Sequence, residues 1–212
     1  SLMIIAIDGP AAAGKGTLAR KLAAEFNLAF LDTGALYRAT GLRVIRNGTE
    51  LGDAQAVAAE ARSITLEDRE NPALRDEASG EMASKVSAIP EVRAALLDYQ
   101  RNFANNPPDG FSGAVLDGRD IGTVVCPDAD AKIFVTASDE VRAHRRWLEL
   151  SAKDSSVVEA VVLAEMQQRD ARDAARATAP MKAADDAHLL DTSNLAIDAA
   201  FDAAKQYVSN KM

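Results

Sequence analysis

The stretch IDGPAAAGKGTLAR, residues 7–20, carries the clearest chemical signal in the chain. Gly9, Gly14 and Lys15 have the spacing of a loop that cradles phosphate: Gly, four residues, Gly, Lys, then Ser or Thr. The glycines let backbone N–H groups turn toward an anion, the following helix start adds partial positive charge, and the lysine supplies a mobile full charge. The hydroxyl comes one residue late, because Gly16 takes the usual place and Thr17 follows it. Gly9, Pro10, Ala11, Ala12, Ala13, Gly14, Lys15, Gly16 and Thr17 are therefore the expected triphosphate-binding residues. Magnesium is expected at Thr17 and Asp117, with water filling more of its shell than usual. Asp117 also reads as an ordinary aspartate of a strand-end turn.

A phosphate acceptor needs an opposing cationic site. Arg38 lies in LDTGALYR with Tyr37 beside it, placed to pack on a base or sugar, and Arg119 follows Asp117 in LDGRD. QRDARDAARA sets Arg169, Arg172 and Arg176 at i, i+3 and i+7 on one helical stripe. Arginine suits phosphate because its planar fork donates two bonds at once. The same stripe is equally readable as a solvated face neutralised by Asp170 and Asp173. RAHRR, residues 142–146, reads as solvated, with Arg145 or Arg146 the candidates to face a nucleotide, and His144 and His188 read as surface and strand-edge residues. A phosphate monoester has a second pKa near ~6, so the acceptor arrives ionised and no general base is required. Transfer then rests on positioning and charge neutralisation.

The elements that must hold these groups follow from periodicity. Apolar runs at Met3–Ile7, Ala29–Leu31, Ala114–Leu116, Lys132–Thr136 and His188–Asp191 read as short buried strands. Between them the repeats are helical: Leu18, Leu22 and Phe26; a helix opened by Asp32-Thr33 and closed by Asn47-Gly48; another begun by Pro90; starts near Ser138 and Ser156; and a last one through Ile197, Ala200, Phe201, Ala204 and Val208. Strands separated by helices predict one α/β domain over residues 1–212, a five-stranded parallel sheet with helices on both faces. The alanine-rich, charged segment 54–89 is expected to be a peripheral flap of two helices around an irregular middle.

Charge and cysteine usage narrow the function. With 24 basic and 32 acidic residues the net charge is −8, which excludes broad sheathing of nucleic acid but permits a local basic pocket. Cys126 is the only cysteine, so no internal disulfide is possible, and it reads as a small buried filler. No apolar run reaches the length of a membrane span, and MIIAIDG follows Ser1 and Leu2 directly, with Met3 as the expected start and no leader. A cytoplasmic monomer is expected.

In order along the chain, IDGPAAAGKGT, LDTGALYR, VLDGRDIGTVV, KIFVTASDEVRAHRR, QRDARDAARATAPM and LLDTSNL resemble bacterial cytidylate kinase, one of the nucleoside monophosphate kinases. The resemblance implies a P-loop NTPase fold with a small acceptor-binding flap (54–89) and a short lid (about 151–177). It implies transfer from ATP to CMP or dCMP with Mg²⁺. By matching position it implies that Lys15, Arg119, Arg169 and Arg176 act on the transferring group. Arg38, Arg119 and Arg176 would hold the acceptor phosphate with Thr33 and Tyr37; Arg169 and Asp173 would hold the sugar; Ser84, Arg93 and Asp120 would read cytosine. Cytosine offers an amino donor and two acceptors, which a carboxylate with an arginine or hydroxyl matches. The departure is ITLEDRENPAL, residues 64–74, shorter than in familiar members and with room for at most a short hairpin.

Three other readings remain at this point: the same reaction with UMP or AMP as acceptor, a nucleotide binder without turnover, and a P-loop regulatory switch. The switch would need an NKxD guanine motif, and the chain contains none.

Overall fold

The computed structural model describes residues 2–212; Ser1, which precedes the expected start at Met3, lies outside them. Among the described residues a five-stranded sheet has the order β2-β3-β1-β4-β5. Its strands are β1 (Met3–Asp8), β2 (Ala29–Asp32), β3 (Gly113–Gly118), β4 (Ala131–Thr136) and β5 (His188–Asp191), and every pairing is parallel. Chain order departs from β1 to both sides, which places the switch in connectivity, and so the ligand crevice, at the carboxyl ends of the central strands. Register brings the strand-end aspartates there together: Asp32 is opposite Asp117, Asp117 opposite Ile7, and Asp8 opposite Gly118.

The strands are apolar on both sides because helices cover both sides. Ile5, Ile7, Val115, Ile133 and Val135 face α1 (Lys15–Phe26) and α9 (Ile197–Ser209), where Leu18, Leu22, Ala200 and Ala204 complete one core. Ala6, Leu31, Ala114 and Leu116 face the other way, against Ala104 of α6 (Pro90–Asn105) and Ile121, Val125 and Cys126. Burying an Ile or Leu completely is worth about 1.5–3 kcal/mol, so these two layers supply most of the driving force. Cys126 is the buried filler expected of it.

A further core ties the segment after α2 (Thr33–Asn47) to the body. Leu36, Tyr37 and Val44 of α2 pack with Val57 and Ala61 of α3 (Ala54–Arg62), Ala83 and Val86 of α5 (Glu77–Val86), and Val92 and Leu96 of α6. The segment expected to hold at most a hairpin contains no strand. Residues Leu66–Glu70 form the short helix α4, and Pro72–Arg75 a 3₁₀ turn. The reason is local: Thr65 accepts from the Asp68 N–H while the Asp68 carboxylate accepts from the Thr65 N–H, a reciprocal cap that commits the chain to a helix. Arg43 of α2 then holds Glu60 and Asp68, at 2.9 and 3.1 Å, and locks α3 and α4 against α2.

α7 (Asp139–Ser151) and α8 (Glu159–Ala174) follow β4, with α8 starting three residues later than the Ser156 expected from sequence. No helix among the described residues is long and apolar enough to cross a membrane.

Gly9 joins β1 to the loop with φ +145°, and a Cβ there would lie 2.0 Å from the Val135 carbonyl oxygen. Since the obstacle is backbone of the adjacent strand, Gly9→Ala is expected to cost at least about 3 kcal/mol, roughly 6–12 °C in Tm for a chain of this size. Thermal unfolding of the two proteins measures it; an unchanged Tm would contradict the close approach.

Candidate active site

The loop 9–14 wraps the start of α1. Helix α1 has Gly14 at its N-cap, at φ +84°, and no side chain caps it. Its first N–H groups therefore point into the loop unclaimed, the arrangement that attracts anions. Ala12 also lies in the left-handed region, at φ +60°, uncommon for a residue with a Cβ. Lys15 reaches across to the carboxylate of Asp117. Burial pushes the Asp117 carboxyl upward and Asp32 adds to that push, while Lys15 opposes it. Thr17 is exposed on α1, and the side of Gly16 faces the Asp117 carboxylate. A carboxylate and a hydroxyl are oxygen donors of the kind Mg²⁺ prefers. Among the described residues there is no cluster of three or more metal-ligating side chains, so phosphate and water oxygens would have to complete the shell.

Arg142, expected to be solvated, and Arg145, a candidate to face a nucleotide, both brace this loop. Arg142 is buried and donates to the carbonyl oxygens of Ala11 and Ala137 while pairing with Asp170 at 2.6 Å. Arg145 donates to Thr192 Oγ1 and the Thr192 carbonyl, and Thr192 Oγ1 donates to the Ala13 carbonyl. Both guanidinium groups thus hold the loop from outside, with their charge near its carbonyls. Arg146 differs again, since it bonds Glu77 and the Arg75 carbonyl on the flap segment. His144, paired with Glu159, and His188, stacked on Tyr207, sit where expected.

Beside the loop lies a mostly apolar cavity of about 300 Å³ lined by Gly14, Leu18, Arg145, Thr192, Leu195 and Ile197, among others. Its position between α1 and the turn after β5 suits a flat aromatic base attached to loop-bound phosphates. LLDTSNL contains part of its wall, but no spacing in that stretch marks it as a base pocket.

The opposing site gathers residues from four elements. Asp173 of α8 is buried at its centre: Oδ1 accepts from Ser84 Oγ at 3.0 Å and Arg176 Nη1 at 3.2 Å, and Oδ2 lies 3.0 Å from Arg119 Nε. The last pair lacks hydrogen-bond alignment, leaving Arg119 Nε without a partner among the described residues. Arg93 pairs with Asp120, donates to the Ser87 carbonyl, and lies over the Tyr37 ring at 5.1 Å. Burial pushes the Tyr37 phenol up to about 12, so it stays neutral. Arg38 is held by Asp32 at 2.8 Å, and Thr33 Oγ1 donates to the Asp117 carbonyl, which joins α2 to β3. Burial alone would raise the Asp32 carboxyl, but Arg38 and Lys15 outweigh it and hold it low.

Arg169 is the exception. It is half-buried with its Nε enclosed, it forms no ion pair among the described residues, and that Nε has no hydrogen bond there. Burial first, and then the neighbouring charge of Arg119, pull its pKa down to about 9, and Arg38 adds to the repulsion. At neutral pH it remains charged. Arg176 is depressed in the same way by burial and by Arg93, although it donates twice to the Ala179 carbonyl. A knot of guanidinium groups raising one another's energy is a site built for an anion. The arginine stripe, which sequence left equally open to solvent, points inward through Arg169 and Arg176. Arg172 pairs instead with Glu81 of the flap, at 2.7 Å.

Tyr37, Ser84, Arg93, Arg119, Asp120, Asp173 and Arg176 are linked by these contacts, while Thr33 and Arg38 meet Asp117 and Asp32 beside them. Sequence reasoning missed Ser87, whose Oγ accepts from Arg176 and donates to the Ser84 carbonyl, and Asp8, Thr192 and the bracing role of Arg142. A lone serine carries no spacing signal.

Comparison with known proteins gives this geometry a family. The family model for cytidylate kinase matches residues 5–210. A cytidylate kinase from Rhodospirillum rubrum is 58% identical, over 99% of this chain and 98% of its own length. One from Methylocella silvestris is 59% identical over 95% of this chain and 92% of its own. Among solved structures, a sugar kinase from Janibacter sp. HTCC2649 superposes with a TM-score of 0.51 over 99% of this chain and 95% of that one, at 14% identity. At that identity the superposition speaks to the fold alone. The chain belongs to the cytidylate kinase family, a family of phosphotransferases.

Proposed function

We propose that this chain transfers the γ-phosphoryl group of ATP to CMP and to dCMP, releasing ADP and CDP or dCDP. The observation that carries this reading is the pairing of two anion sites at one sheet edge: an uncapped helix start with Lys15, and a partly buried knot of Arg38, Arg119, Arg169 and Arg176. One site suits a triphosphate and the other a monophosphate. The relatives' name supplies the acceptor base.

In this reading the triphosphate lies along residues 9–17 with its base in the cavity by Leu18 and Ile197, and the CMP phosphate sits among the arginines. The acceptor is mostly dianionic at pH 7. An oxygen of its phosphate attacks the γ-phosphorus in line, the bond to the β–γ bridging oxygen breaks, and that oxygen leaves on ADP. Lys15 and the arginines meet the charge that spreads over the moving group. Mg²⁺, held through Asp117, Thr17 and water, would neutralise phosphate charge. Arg169 and Asp173 orient the sugar, while Ser84, Arg93 and Asp120 present a hydroxyl, a guanidinium and a carboxylate to cytosine. Uracil reverses the donor and acceptor pattern, which would set Asp120 against a carbonyl oxygen and leave buried groups unmatched.

Segment 54–89 serves as the acceptor flap and 151–177 as the lid. Arg146 of α7 ties the flap through Glu77, and two contacts join flap to lid, Arg172 with Glu81 and Ser84 with Asp173. The first two are partly exposed pairs worth about 0–1 kcal/mol each, weak enough to open for exchange. The chain works as a cytoplasmic monomer on small anions; its net charge of −8 supports substrates drawn to a local pocket over a nucleic-acid polymer.

ADP release from ATP with Mg²⁺ and CMP, dCMP, UMP, AMP, GMP or dTMP tests the reading directly. CMP and dCMP are expected to lead; a lead by UMP or AMP would overturn the base-reading assignment, and no turnover would overturn the enzyme. Lys15→Ala is expected to lower kcat by at least about 10²-fold with the far-UV circular dichroism unchanged. Near-normal turnover would remove Lys15 from the mechanism.

A second prediction concerns Arg169. Because an anion relieves its repulsion, CMP at about 100 Kd should stabilise the protein by roughly 2.7 kcal/mol, read as a rise in Tm. Arg169→Met should abolish most of that rise while leaving the unliganded protein at least as stable as the original, since a partly buried unpaired charge is gone. An undiminished rise in the variant would remove Arg169 from the acceptor site.

A further inference from the structure

Asp8 is buried at the carboxyl end of β1, immediately before the phosphate loop, yet it points away from that loop. Its two carboxylate oxygens accept separately from the N–H groups of Ile121 and Gly122, each at 2.8 Å. Those are the first two residues of the single π-helical turn Ile121–Val125, which follows Arg119 and Asp120 directly. Gly122 is shaped to this contact: a Cβ there would lie 3.3 Å from Asp8 Oδ2 and 3.1 Å from the Lys132 side chain. The Asp120 side chain caps nothing in the turn, because it is committed to Arg93.

We infer that Asp8 is a positioning residue for the acceptor, fixing through Ile121 and Gly122 the turn that aims Arg119 at the phosphate and Asp120 at the base. The inference rests on the acceptor roles proposed for Arg119 and Asp120. It assigns Asp8 to the acceptor side although its sequence position belongs to the donor loop. Two charge-assisted bonds from adjacent amides fix the direction of that short turn, where neutral caps would fix only its presence. Burial, reinforced by the charge of Asp120, pushes the Asp8 carboxyl up to about 7, against the pull of the two amides and of Lys15. Lys132 brings its methylenes to this place from β4, but its ammonium is turned away to the Pro127 carbonyl and Asp186. The raised value means that stability falls as pH rises from about 4 to about 7 and stays lowered above that, so the carboxylate is held here against stability. The doubly accepting form is lost as pH falls through the same value.

The test measures KM for acceptor and for ATP in Asp8→Asn, Gly122→Ala and the double variant. Asp8→Asn replaces one accepting oxygen with a donor; Gly122→Ala leaves the charge in place and crowds the contact. Each is expected to raise the acceptor KM about 10- to 100-fold with the ATP KM essentially unchanged. The double variant should lose little more than either single one, because both break the same contact. Below neutral pH the acceptor KM of the original protein should climb more steeply than that of Asp8→Asn; the acceptor's own ionisation near ~6 is common to both. Equal increases in the two KM values, or none, would overturn the inference. If the acceptor panel selects a nucleotide other than CMP, the proposed function falls, and the same comparison with that nucleotide still decides the role of Asp8.

Discussion

Guanidinium groups crowded at the carboxyl edge of a sheet repel one another, and the rest of the site is arranged around that repulsion. Each arginine but one is matched with a carboxylate: Arg38 with Asp32, Arg93 with Asp120, Arg119 and Arg176 with Asp173. The pair Arg93–Asp120 joins α6 to the turn after β3, and Arg119–Asp173 joins that turn to α8. Arg169 is left over, half-buried and without a carboxylate of its own among the described residues. In a medium of lower dielectric than water the imbalance is expensive, which gives an incoming phosphate its advantage over solvent. The apolar layers below supply the stability that makes such a site tolerable.

The donor side is built on the opposite sign. There the loop's carbonyl oxygens are held from outside by Arg142 and Arg145, and its N–H groups are left facing inward. Bracing the carbonyls fixes the loop without spending the donors that a phosphate needs. One residue in the middle, Lys15, touches both sides by reaching Asp117. A lysine on a flexible stem can leave a carboxylate for a phosphate, and the coupling of Asp117 to Asp32 means that such a move alters charge balance on the arginine side as well.

How much of this was legible in the sequence divides by the range of the signal. Strands and helices were readable because their signals are local: apolar runs, four-residue repeats, Asn47-Gly48. The phosphate loop was readable for the same reason, its spacing being contiguous. The short helix α4 is not legible from the length of the segment, which sets only an upper bound; its local signal is the Thr65–Asp68 cap. The roles of Arg142 and Arg145 are not legible, since an i, i+3 pair in a charged run looks alike whether it faces water or a loop. What decided them was Ala11, Ala13 and Thr192, residues far away in sequence. The arginine stripe stayed undecided on spacing for the same reason, and its inward turn is settled by Ser84 and Ser87 of the flap end meeting Asp173 and Arg176.

That meeting also bears on how a site already full of ion pairs can bind anything. Asp173 and Asp120 each neutralise an arginine that the proposed function gives to a nucleotide, so in that reading binding is an exchange of partners. A phosphate would replace a carboxylate on Arg119 or Arg176, while a sugar hydroxyl or an amino group would take up the acceptor oxygens so released. No charge need be left bare at any stage, which avoids the penalty of several kcal/mol that breaking a buried pair carries. An acceptor with the wrong base edge can satisfy the phosphate half of the exchange but not the other, and strands a carboxylate. Discrimination in such a site comes from the groups that a wrong ligand fails to repair, and the internal pairs are what set that standard.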